Sequence, residues 1–160
     1  MATVNLSDYK PLHIDNAGDF RIGIVVSEWN DFVTHNLRNA AQEILEKEGV
    51  NPEKIQIFSV PGAFELIYAS KQLCDSNNFD AIIAIGCVIR GETPHFDYVC
   101  SAVAQGIKDC NILTEVPAIF CVLTDDTKEQ SIARSGGNLG NKGVEAAVTA
   151  LKMIDFKKNL

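Results

Sequence analysis

The chain has 160 residues, 46% of them hydrophobic and 22% charged, which fits one compact domain with an ordinary core and leaves too little for a second. A formal net charge of −7 argues against a nucleic-acid or anionic-membrane partner, because both reward a basic surface. No apolar run approaches the ~20 residues that span a bilayer, and the amino end mixes Asp8, Lys10, Asp15 and Asp19 without an apolar signal core, so the protein reads as cytoplasmic.

Residues 1–20 are polar and carry Pro11 and Gly18. They read as a segment apart from the single domain expected over 21–160, a loose tail unless a neighbouring subunit pairs with it. The first strand is expected at Arg21–Ser27, followed by a helix whose core face carries Leu37, Ala41, Ile44 and Leu45 at helical spacing. A second strand, Lys54–Val60, runs into Pro61-Gly62, which should open a helix with Glu65 in its first turn and Leu66, Ala69 and Leu73 on its core face. The third strand, Asp80–Cys87, precedes a helix marked by Val99, Val103, Ile107 and Cys110. After a fourth strand, Ala118–Thr124, a short helix (Thr127–Arg134) leads through Gly136-Gly137-Asn138-Leu139-Gly140 into a last helix carrying Val144, Val148, Leu151 and Ile154, with no fifth strand visible.

Runs such as Ala81–Ile85 are continuously apolar, as strands buried on both faces are. Alternating strands and helices then predict an α/β three-layer sandwich, a four-stranded parallel sheet with helices on both faces. The five cysteines (Cys74, Cys87, Cys100, Cys110 and Cys121) are odd in number and never closer than ten residues. They read as buried free thiols, since neither a zinc knuckle nor a disulfide framework has that spacing.

In an open parallel sheet, ligands bind beyond the carboxyl ends of the strands. The segments there are Glu28–Asp31, Val60–Glu65, Cys87–His95 and Thr124–Asp126. Trp29, the only tryptophan, and Asn30 offer a flat ring and an amide to a heterocycle, although a core or interface tryptophan fits the pattern equally. Thr93 suits a helix cap and Pro94 the first helical position, so the loop from Cys87 delivers free N–H groups to an incipient helix terminus, a ready site for phosphate. His95 would lie in that first turn, where the helix dipole disfavours the imidazolium and a phosphate favours it. The balance suits proton transfer near neutral pH, or else marks a surface or capping histidine.

Arg134 and Lys142 flank the glycine-rich loop and could clamp a phosphate, or could be solvated cations at helix ends. The loop is no nucleotide-binding phosphate loop, because Gly136 leads to Asn141-Lys142-Gly143 instead of Gly-Lys-Ser/Thr, and because it follows a helix.

Three blocks, Val60-Pro61-Gly62-Ala63-Phe64-Glu65, Gly86 through Val99, and Arg134 through Gly143, closely resemble the lumazine synthase family in order and separation, within a likeness that runs from Arg21 to Asp155. The resemblance implies a flavodoxin-like fold and a riboflavin-biosynthesis reaction. In it, 5-amino-6-(D-ribitylamino)uracil and 3,4-dihydroxy-2-butanone 4-phosphate give 6,7-dimethyl-8-ribityllumazine, phosphate and water, with no cofactor and no metal. It further implies that Trp29 stacks on the pyrimidine, that Ala63, Phe64 and Glu65 hold the ribityl chain, and that Cys87, Val88 and Ile89 line the heterocycle pocket. Glu92 and Thr93 would offer the phosphate site, His95 would transfer protons, and Phe120 and Arg134 would come from a neighbouring subunit.

The assembly so implied is a homopentamer. The short Gly136–Asn141 loop leans towards the icosahedral 60-subunit shell of some members, with riboflavin synthase as an associated enzyme. Two departures stand out. Trp29 replaces a common phenylalanine, and Ala133 stands where glutamate often precedes the arginine, so that acid's role is lost or passes to Asp125 or Asp126. A rival reading makes Cys87 a nucleophile with His95 as its base. A flavodoxin-like receiver fails because its required acid is missing at Gly86-Cys87.

Overall fold

The computed structural model describes residues 5–160; residues 1–4 of the amino-terminal segment lie outside it. Its strands β1 (Ile22–Ser27), β2 (Ile55–Val60), β3 (Ala81–Ile89) and β4 (Ala118–Asp125) alternate with helices α1 (Asp31–Lys47), α2 (Leu66–Asp75), α3 (His95–Leu113) and α4 (Lys128–Arg134). A small hairpin of β5 (Ser135–Gly137) and β6 (Gly140–Asn141) precedes α5 (Lys142–Lys158). The four long strands pair in parallel in the order β2-β1-β3-β4, the three-layer α/β arrangement expected, with the flavodoxin-like order.

Because strand side chains alternate between faces, each strand feeds two cores. Ile22, Ile24 and Val26 of β1, Ile83 and Ile85 of β3, and Cys121 and Leu123 of β4 pack with α1 and α5. Val25, Ile82, Ala84 and Val122 pack with α2 and α3 on the other face. The predicted stripes of α1 and α5 are buried throughout. In α2 the stripe is Leu66, Ser70 and Cys74, while Ala69 and Leu73 are only half-buried. The edge strand β2 has no fully buried residue and Ile57 is exposed, so burial on both faces holds for the inner strands and not for this edge.

The fifth and sixth strands contradict the expectation that none follows β4. They are two or three residues long and glycine-rich, so no side-chain period announces them. They form because Gly136 (φ 115°) and Gly140 (φ 82°) adopt the left-handed region. Gly140 is also crowded: a Cβ there would lie 2.1 Å from Asn5 Oδ1 and 2.7 Å from the Ser7 nitrogen. The amino-terminal segment crosses the hairpin at this point, with Leu6 N–H donating to the Leu139 carbonyl (2.8 Å) and Asn141 N–H to Ser7 Oγ (3.0 Å). Further along, Tyr9 OH and Leu12 N–H both donate to the Glu48 carboxylate, each at 2.9 Å. The segment thus rests on its own chain, with Tyr9, Leu12 and Ile14 against the α1/α5 core.

Candidate active site

The turn after β1 is held by an unusual backbone. Asn30 sits at φ 60°, ψ 43°, a region that asparagine tolerates better than most residues. Its Nδ2 donates to the Cys87 carbonyl at 3.0 Å, joining the ends of β1 and β3. Glu28 and Trp29 extend the pairing past the strands, donating to the carbonyls of Val60 (2.8 Å) and Pro61 (3.1 Å). The Trp29 indole lies against Gly62, where a Cβ would come within 2.7 Å of ring carbon Cε3.

Pro61-Gly62 does not open a helix as expected. The chain turns through residues 61–65 and α2 starts at Leu66, with Glu65 as its cap residue. The Glu65 carboxylate reaches back and accepts from Gly62 N–H at 3.0 Å, so it closes the turn and does not join the helix's first turn.

Strand β3 runs to Ile89, two residues further than its apolar run suggests, because Val88 and Ile89 stay in register with Thr124 and Asp125. Arg90 continues the pairing, its N–H donating to the Asp125 carbonyl at 3.0 Å. Its guanidinium then donates to Asp97 (3.0 and 3.2 Å) and Asp126 (2.7 Å) and lies 4.1 Å over the Phe96 ring. The two carboxylates hold it firmly protonated, Asp97 most strongly. One side chain therefore ties the β3–α3 loop to the β4–α4 turn.

Helix α3 begins at His95 with Pro94 as its cap residue and no side-chain cap, so Thr93 does not cap it as predicted. Among the described residues, no hydrogen bond uses the N–H of Glu92, Thr93, His95 or Phe96. The terminus therefore keeps donors for an anion.

These loops enclose a cavity of about 690 Å³ lined by Trp29, Asn30, Ala63, Phe64, Glu65, Cys87, Val88, Ile89 and His95, with Tyr98, Val99 and Ala102 added from α3. Those three follow His95 at i+3, i+4 and i+7 on one helix face. That spacing could have revealed Tyr98 and Ala102, and would have moved Val99 from core to pocket wall. Trp29, Phe64 and Tyr98 form the rim, 67%, 53% and 75% exposed.

Phe120, Arg134 and Lys142 are elsewhere, around a second concavity of about 540 Å³ on the β4 edge that Asp125 and Leu139 also line. Glu92 and Thr93 are exposed and border neither space. Lys142 pairs with Glu145, so it does not act with Arg134 as a free basic pair. Arg134 donates from Nη1 to the Gln130 carbonyl at 3.0 Å and lies 3.8 Å from Asp125. Of the two acids at the end of β4, Asp126 is engaged by Arg90, and Asp125 faces Arg134.

The Cys87 thiol follows Ile83 and Ile85 to the α1/α5 side and donates to Ser131 Oγ at 3.5 Å. Burial pushes it up to about 11, so it stays protonated at neutral pH and is a poor nucleophile. Cys74, Cys110 and Cys121 are likewise buried free thiols, and Cys100 is half-buried. Among the described residues no helix is long and apolar enough to cross a membrane.

Residues 19–158 match the family model described as 6,7-dimethyl-8-ribityllumazine synthase. Relatives bearing that name include one from Flavobacterium johnsoniae, 58% identical over 93% of this chain and 78% of its own length. Another from Parabacteroides distasonis is 52% identical over 98% and 99% of the two chains, and one from Christiangramia forsetii is 54% identical over 97% and 93%. The aromatic-rimmed cavity at the strand ends and this level of identity agree: the chain belongs to the 6,7-dimethyl-8-ribityllumazine synthase family.

Proposed function

We propose that the Trp29–His95 cavity of one subunit and the Phe120–Arg134 edge of a neighbour together form the site of this transferase. The enzyme works in riboflavin biosynthesis, condensing 5-amino-6-(D-ribitylamino)uracil with 3,4-dihydroxy-2-butanone 4-phosphate. The observation that carries the proposal is the division of the predicted site within one chain. An apolar cavity with an exposed aromatic rim sits at the ends of β1 and β3, while Arg134 and Phe120 occupy the β4 edge. Apposing the two surfaces in a cyclic homopentamer covers the rim and brings a cation to the cavity mouth.

In that site the indole of Trp29 stacks on the pyrimidine, residues 63–65 hold the ribityl chain, and Val88, Ile89 and the Cys87 backbone line the ring pocket. Glu92, Thr93 and the open amides before α3 receive the phosphate, with Arg134 across the interface. The 5-amino group attacks the ketone and water leaves to give an imine. Loss of a proton from the carbon chain expels phosphate, the resulting enol returns to a ketone, and the ribitylamino nitrogen attacks that carbonyl and closes the second ring with loss of a second water. Holding both reactants together can contribute ~7–11 kcal/mol. His95, at the cavity wall and open to solvent, moves protons between these steps, worth roughly 10²–10⁴-fold. Arg134 and the helix terminus stabilise the departing phosphate as its charge develops. Residues 5–20, which rest on their own chain through Leu6, Tyr9 and Leu12, also border a neighbouring subunit. The protein works in the cytoplasm as a homopentamer, alone or packed with others into an icosahedral shell, and associates with riboflavin synthase, while Lys142, paired with Glu145, lines the β4-edge side of the site.

The test mixes purified protein with both substrates and follows phosphate release and the fluorescent product for wild type, His95→Ala and Arg134→Ala, singly and as mixed oligomers refolded together. Both single variants should be weakened. The mixture should regain activity, because co-assembly recreates sites that have His95 from one subunit and Arg134 from the next. Failure of the mixture to exceed its components would overturn the shared site, and sedimentation with electron microscopy would decide between pentamer and shell.

A further inference from the structure

We infer that Asp125 is a positioning residue for the reaction, acting through Arg134; the inference rests on the phosphate role proposed above for that arginine. Asp125 closes β4 and is only 8% exposed. A carboxylate withdrawn from water needs both hydrogen bonds and a cation. Ser131, fully buried, donates its hydroxyl to Asp125 Oδ2 at 2.8 Å and receives the Cys87 thiol at 3.5 Å. The cations nearby are Arg90, Lys142 and Arg134. Arg90 is taken by Asp97 and Asp126, and Lys142 by Glu145. Arg134 remains, its Nη1 3.8 Å from Asp125 Oδ1.

The guanidinium donates from Nη1 to the Gln130 carbonyl at 3.0 Å and has the Asp125 carboxylate as its ion partner on the same side, 3.8 Å from that nitrogen. Among the described residues, Nε and Nη2 form no hydrogen bond, and the side chain lines the β4-edge concavity. Those are the donors a phosphate would use. The Cys87–Ser131–Asp125 chain is buried, so Asp125 cannot swing without opening the core. Arg134 is thereby presented to an incoming anion already oriented, without the cost of ordering a long side chain at each encounter.

Steady-state kinetics on wild type, Asp125→Asn, Arg134→Ala and the double variant test this, with inorganic phosphate as competing ligand. Asparagine keeps the shape and the acceptor for Ser131 and removes the charge. The expected result is a KM for the butanone phosphate and an inhibition constant for phosphate raised roughly 3- to 10-fold, the loss of one pre-ordered side chain. The KM for the pyrimidine should not change.

The double variant should match Arg134→Ala alone, since both changes act on one group. Ser131→Ala, which keeps the carboxylate and frees its rotation, should move the same constants in the same direction by less. An Asp125→Asn effect that persists in full without Arg134 would show a merely structural role and overturn the inference. Tighter phosphate binding would overturn it as well, because that is what removing a repelling anion predicts. If Arg134→Ala itself leaves the butanone phosphate constants unchanged, the proposed role of Arg134 falls first and takes this inference with it.

Discussion

Gly62 offers the sharpest test of how the cavity is shaped. In Gly62→Ala the new methyl would stand 2.7 Å from Cε3 and 2.8 Å from Cζ3 of Trp29, and 3.0 Å from Glu65 Oε2. Carbon pairs settle at about 3.5–4.0 Å, so the indole must withdraw by about 1 Å. It can do so, being 67% exposed, and the fold should tolerate the change. Gly62 does not adopt a positive φ, so alanine gains ~0.4–1 kcal/mol by restricting the unfolded chain. This offsets part of an overpacking cost that reaches ~1–3 kcal/mol only in rigid cores. Catalysis should be less forgiving, since a displacement of ~1 Å in a positioning group can cost about 10²-fold.

We therefore expect the KM for the pyrimidine to rise on the order of 10-fold, with the KM for the butanone phosphate and the melting temperature nearly unchanged. Kinetics with each substrate varied in turn check this, together with emission from Trp29, the single tryptophan. If the emission shifts and the pyrimidine KM does not, Trp29 is not the stacking partner and the assignment of the cavity is wrong.

Arg90→Ala should lower kcat about 10- to 100-fold with little change in the unfolding midpoint, because it releases the loop bearing Glu92 to His95 while its ion pairs are exposed; an unchanged kcat would show that the loop needs no tether. Cys87→Ser should leave turnover within about twofold, since a thiol held at about 11 supplies little thiolate at neutral pH, and near-complete loss of activity would revive the nucleophile reading. The same thiol gives a signed pH dependence. Its folded value lies above the ordinary value of 9.0, so its contribution is fully present below pH 9 and is lost as pH rises from about 9 to about 11. The loss is on the order of 2–3 kcal/mol. Denaturant unfolding of wild type and Cys87→Ser across that range should converge as pH rises, and parallel curves would refute the assignment.

The four long strands and the helices between them were legible because each buries side chains at a fixed local period, and alternation of the two periods implies parallel pairing. Boundaries were less so. Val88 and Ile89 remain in β3 because β4 lies beside them, and Glu65 stays out of α2 because its carboxylate turns back to Gly62. The β5–β6 hairpin left no apolar trace, since backbone conformation at Gly136 and Gly140 makes it.

At the site, the sequence alone determined which loops end the strands and which chemistry-bearing residues lie on them, from Trp29 to His95. Only the tertiary structure decided that Phe120 and Arg134 sit on the β4 edge, away from the cavity, that Arg90 ties two loops together, and that Asp125, not Asp126, answers Arg134. The reason is physical. Periodicity records how a residue relates to its own element over a few positions, whereas Arg90 and Asp126, 36 residues apart, meet only once the register of β3 against β4 is set.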